Sequence, residues 1–84
     1  MAYRLDIHGQ DGALVLQFQG LLDADALAGL RASLARARQN GTRARIVLRA
    51  GSEVERSCLA ELRALGVEVT AEAAYLATWL RAAE

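Results

Sequence analysis

The sequence predicts an α/β domain of order β-β-α-β-α-β-α, with a four-stranded mixed sheet and helices mainly on one face. Three observations predict it. Polar and apolar residues alternate in two runs near the start and in a third near the middle. Leucines then recur at helical spacing behind capping residues. Each alternating run has one apolar face, whereas strands covered on both sides read as continuously apolar.

The first strand is residues 3–8, with Tyr3, Leu5 and Ile7 on one face and Arg4, Asp6 and His8 on the other. Gly9-Gln10-Asp11-Gly12 is a turn signal. Residues 13–19 are the second strand, with Leu14, Leu16 and Phe18 inward and Val15, Gln17 and Gln19 outward. The two runs predict an antiparallel hairpin. Gly20-Leu21-Leu22 leads to Asp23, an N-cap, after which Leu27, Leu30 and Leu34 mark the first helix. Asp23 and Asp25 at its start and Arg36 and Arg38 at its end complement the helix dipole. Asn40-Gly41 stops it.

Residues 43–49 are the third strand, with Ala44, Ile46 and Leu48 inward and Arg43, Arg45, Val47 and Arg49 outward. Ser52-Glu53-Val54-Glu55 has the capping-box pattern and places the start of the second helix at Ser52. That helix carries Cys58, Leu59, Leu62 and Leu65 and stops at Gly66. Val67 to Val69 read as the fourth strand, and Thr70 as the cap of a last helix with Leu76, Trp79 and Leu80 as its buried stripe. Strand-helix-strand links are expected to be right-handed crossovers.

Eighty-four residues, 54% of them apolar, predict one domain over 1–84. Much of that apolar content is alanine, so each residue buries little area, and self-association or a partner would add stability. Ten arginines balance ten acids, so no global basic field draws nucleic acid or an anionic membrane. One cysteine cannot form an internal disulfide, which fits a reducing compartment. The opening MAYRLDIHG lacks the basic-then-apolar pattern of a signal peptide, and no run is long enough to span a membrane. A cytoplasmic protein is therefore expected.

Two stretches resemble the STAS domain, the fold of anti-sigma factor antagonists and sulfate-transporter tails. Gly20-Leu21-Leu22-Asp23, followed by Leu27, Leu30-Arg31 and Leu34, is similar to that family's strand, G-x-L-D and amphipathic helix. Val54-Glu55-Arg56-Ser57-Cys58-Leu59-Ala60-Glu61-Leu62 is similar to its I-D-S-S-G-L-x-x-L, with Glu55 for aspartate, Arg56 for serine and Cys58 for glycine. The resemblance implies a module that binds a regulatory or transport partner. It also implies that Ser57 is the residue partner kinases phosphorylate, near the start of the second helix. A capping box at Ser52 instead puts Ser57 in the second turn, away from the exposed N–H groups that favour a phosphate, and weighs against the switch.

The partner-binding candidates are thus Asp23, Ser52, Glu55, Arg56 and Ser57, with Ser57 the candidate phosphoacceptor. No catalytic residue, cofactor site or metal site is expected. Cys58 would need a base to serve as a nucleophile, and the only histidine, His8, belongs to the other sheet face; a small core residue is the simpler reading. Asp23 and Asp25 are explained by capping, and Gly9 and Gly12 by a turn. The Arg43, Arg45 and Arg49 stripe reads as a solvated face that Asp6 and Glu68 can neutralise. Three functions follow, in this order: a non-catalytic protein-interaction module, an assembly subunit forming a homo-oligomer through the polar sheet face or the last helix, and last a small thiol enzyme using Cys58.

Overall fold

The computed structural model describes residues 3–82. Strands β1 (Tyr3–Gln10) and β2 (Ala13–Leu22) form the antiparallel hairpin, followed by helix α1 (Ala24–Gln39) and strand β3 (Arg43–Leu48). A two-residue strand β4 (Glu53–Val54) precedes helix α2 (Arg56–Ala64), strand β5 (Glu68–Ala71) and helix α3 (Ala74–Ala82). The sheet order is β1-β2-β3-β5, with β4 also on β2. Every pair except the hairpin is parallel, and the helices pack on one face.

Asp11 and Gly12 both have positive φ, 53° and 79°, so the hairpin turns in two residues whose twist matches the strands. Gly9 and Gln10, expected in the turn, pair in β1 with Leu14 and Ala13. On the covered face Leu16, Phe18 and Leu22 of β2 meet Leu27, Leu30 and Leu34 of α1, Ile46 and Leu48 of β3, and Leu62 of α2. Each such side chain contributes roughly 1.5–3 kcal/mol on burial. Asp23 caps α1 as expected, its Oδ1 accepting from the Ala26 N–H at 3.0 Å.

Three expectations are corrected. The sheet has five strands, not four, because the second helix does not start at Ser52. Beyond Phe18↔Leu48 the parallel pairing breaks and resumes at Leu21↔Glu53 and Leu22↔Val54. The third strand therefore advances five residues while β2 advances three, and the excess is thrown out as a bulge at Arg49–Ser52. Gly51 takes φ 88° at its crest. The local capping signal loses to sheet pairing: Ser52 donates its hydroxyl to Phe18 O at 3.2 Å, and Val54 buries its side chain in the core. Helix α2 starts at Arg56, with Glu55 as an N-cap making no side-chain cap bond. Thr70 likewise does not cap α3; it pairs with Val47 in β5, and α3 starts at Ala74.

The uncovered face carries the polar rows His8-Val15-Arg45-Glu68 and Asp6-Gln17-Val47-Thr70. Val15 is on this face as expected but is 2% exposed, because long side chains on the neighbouring strands lie beside it. Arg45 donates to Gln10 Oε1 at 3.2 Å, and Arg49 meets Glu72 at 3.9 Å rather than Glu68 or Asp6. Asp6 is paired with Arg4 at 3.0 Å.

Candidate functional site

The interrupted strand has a consequence for the helices that follow it. Strands β2 and β4 run parallel and stop side by side, at Leu22 and Val54. The Glu55 N–H donates to Leu22 O at 3.0 Å, so the two N-caps, Asp23 and Glu55, sit at neighbouring strand ends. Helices α1 and α2 thus start together at the carboxyl ends of their strands, where open α/β sheets commonly bind ligands.

Four of the five predicted residues come together on this rim. Asp23 is half-buried and occupied with its cap; Glu55, Arg56 and Ser57 are exposed. Ser57 is the second residue of α2, in its first turn, as the STAS resemblance implied and the capping box did not. The start of α2 has no acidic residue in its first turn, and no side chain caps it. Its positive dipole end is therefore held only by the charges around it. Glu61 lies on the same helix and pairs with Arg31 of α1 at 3.6 Å. Asp23, Asp25, Glu55 and Glu61 outnumber Arg31 and Arg56, so the rim is acidic.

Ser52 is not part of the accessible rim. It is fully buried and anchors the bulge. Around it Gln19 Nε2 donates to Ala50 O at 3.1 Å, the Ala50 N–H donates to Glu72 Oε1 at 2.9 Å, and Tyr75 donates its hydroxyl to Ser52 O at 3.2 Å. Sequence reasoning missed Gln19, Glu72 and Tyr75 as anchors, because each bond spans more than 20 residues and no local pattern encodes it. The only sequence signal was the glycine at 51, which a helix start does not require.

Cys58 is buried under this rim as a free thiol. Burial pushes its pKa up, the Ser57 hydroxyl partly offsets that, and Glu55, Glu61 and Asp23 add to the rise. A nucleophilic cysteine needs the opposite shift. His8 lies on the uncovered face, in register with Val15, with the sheet between it and Cys58. Among the described residues no group of three or more His, Cys, Asp or Glu is placed to hold a metal ion. Among the same residues no helix is long and apolar enough to cross a membrane. In comparisons with protein-family models and with curated proteins, the chain matches none.

Proposed function

We propose that this chain is a STAS-like protein-interaction module, without catalysis of its own, that binds a regulatory or transport partner through the rim at the starts of α1 and α2. The observation that carries this reading is the position of Ser57, exposed in the first turn of α2 and beside the start of α1. A kinase can reach such a hydroxyl, and free N–H groups at a helix start favour the phosphate once it is made.

The rim's acidic balance sets the direction of the switch. A phosphate adds close to two negative charges to a surface already carrying Asp23, Glu55 and Glu61. A partner attracted to this rim is basic, and phosphorylation changes the charge that it meets. Arg56 can pair with the phosphate, so the gain in negative charge is partly neutralised within the module.

The test is incubation of the chain with ATP and a serine kinase of the anti-sigma class from the source organism, followed by intact mass. The expected result is one added phosphoryl group that Ser57→Ala abolishes. A phosphoryl group that persists in Ser57→Ala would place the switch elsewhere. Binding of the same kinase to the unphosphorylated chain, weakened by charge reversal at Glu55, tests the rim itself; a complex indifferent to Glu55 and Arg56 would overturn it.

A further inference from the structure

We infer that the chain forms a two-fold symmetric dimer by antiparallel pairing of β1 with β1 of a second copy, in the register that puts Leu5 opposite Leu5. This surface is separate from the rim, and the inference does not rest on the proposed function.

β1 is an edge strand eight residues long, hydrogen-bonded among the described residues to β2 alone. Its outer edge therefore presents backbone N–H and C=O groups ready to pair. Natural edge strands are usually guarded by a proline, charged side chains such as lysine, a bulge or short length. β1 pairs with β2 without a bulge from Tyr3↔Gly20 to Gln10↔Ala13, and its two charges, Arg4 and Asp6, are of opposite sign, so they guard the edge against most strands but not against a second copy in the matching register. Two of the exposed large apolar side chains, Tyr3 at 40% and Ile7 at 49%, lie on this one strand and on the same face of it.

The order of residues identifies the occupant as a second copy. Tyr3-Arg4-Leu5-Asp6-Ile7 reads apolar, positive, apolar, negative, apolar. Run antiparallel against itself about Leu5, it matches at every position. Arg4 faces Asp6 of the second copy, Asp6 faces its Arg4, and Tyr3 and Ile7 cover one another at both ends. Moving the two-fold by one residue, to Asp6, sets Asp6 against Asp6 and Arg4 against His8. Directly opposed side chains on an antiparallel pair share a face, so the helices of both copies fall on the same side of one continuous sheet. Arg4 and Asp6 already pair within one chain at 3.0 Å, with both side chains substantially exposed, so exchanging partners costs little.

The experiment uses charge reversal and sedimentation velocity on the full chain, with circular dichroism to confirm folding. The wild type is expected to dimerise with rising concentration. Arg4→Asp sets acid against acid twice, and Asp6→Arg sets arginine against arginine twice. Each is expected to weaken the dimer about tenfold or more, since two cross-strand charge pairs change sign. Mixing the two variants restores both pairs at once and is expected to return dimer, as is the double variant Arg4→Asp/Asp6→Arg. A wild type that stays monomeric at the highest soluble concentration overturns the inference and leaves the edge to a strand of another protein. Single variants that dimerise like wild type, or a mixture that remains monomeric, overturn the surface or the register.

Discussion

At the scale of single residues, Ser52 and Cys58 show how burial decides what a polar atom does. The Ser52 hydroxyl bonds to Phe18 O, but that carbonyl also accepts from the Arg49 N–H at 2.8 Å. Ser52→Ala therefore removes one bond without orphaning its acceptor, and about 1 kcal/mol of stability is expected to go. Ser52→Leu must fit three more carbons into a fully buried site and is expected to cost more, roughly 1–3 kcal/mol from overpacking alone. Urea unfolding of both variants checks the order; a leucine variant as stable as alanine would mean the bulge is loosely packed. Cys58 contributes to alkaline stability. Its folded pKa is raised above the unfolded value of about 8.5, so above that pH the unfolded chain sheds a proton that the folded chain keeps. The stability from Cys58 is complete below about pH 8.5 and is lost as pH rises toward the folded pKa. The difference in unfolding free energy between wild type and Cys58→Ala should accordingly shrink from pH 7 to pH 10. A pH-independent difference would show that the thiol does not ionise differently in the two states.

At the scale of elements, the two helix starts on the rim make a matched pair with opposite chemistry. α1 has a side-chain cap and α2 has none. Asp23→Ala is expected to cost about 1 kcal/mol, whereas Glu55→Ser, which supplies the missing cap oxygen, should add roughly 0.5–1 kcal/mol. Thermal unfolding reads both signs, and a destabilising Glu55→Ser would mean that this carboxylate already serves the helix start through its charge. The same pair shows which parts of the architecture were legible in the sequence. The hairpin, α1 and β3 followed from alternation and leucine spacing because each is a local pattern of six or more residues. Asp23 was legible because its cap bond spans only three residues. The start of α2 was not, because the capping-box letters at 52–55 compete with pairing of Glu53 and Val54 to Leu21 and Leu22, 32 residues earlier, and the pairing buries Val54. Ser57 was marked by resemblance to a motif, but its place on the first turn depends on that long-range pairing, and so does the adjacency of Glu55 to Asp23.

At the scale of the whole molecule, the sheet and its helices are unequally bound. β2 pairs with three strands and supplies Leu16, Phe18 and Leu22 to the core, whereas α3 packs on β5, a four-residue edge strand. Of α3's large apolar side chains only Leu76 is fully buried; Trp79 and Leu80 are half-buried and Tyr75 is largely exposed. Tyr75 adds a hydrogen bond from its hydroxyl to Ser52 O. A unit with few buried contacts opens at lower free energy than the core. Trp79 is the single tryptophan, so its fluorescence reports on α3 while far-ultraviolet circular dichroism reports on the whole. In the wild type, Leu76 couples α3 to the core, and the two signals are expected to follow one urea transition. Leu76→Ala removes the one fully buried anchor, at a cost of roughly 2–5 kcal/mol in a well-packed site. That cost falls first on α3, so the Trp79 transition should move to lower urea and separate from the dichroism transition. If both signals instead shift together, Leu76 stabilises the domain as one unit, and α3 belongs to the same cooperative core as β2.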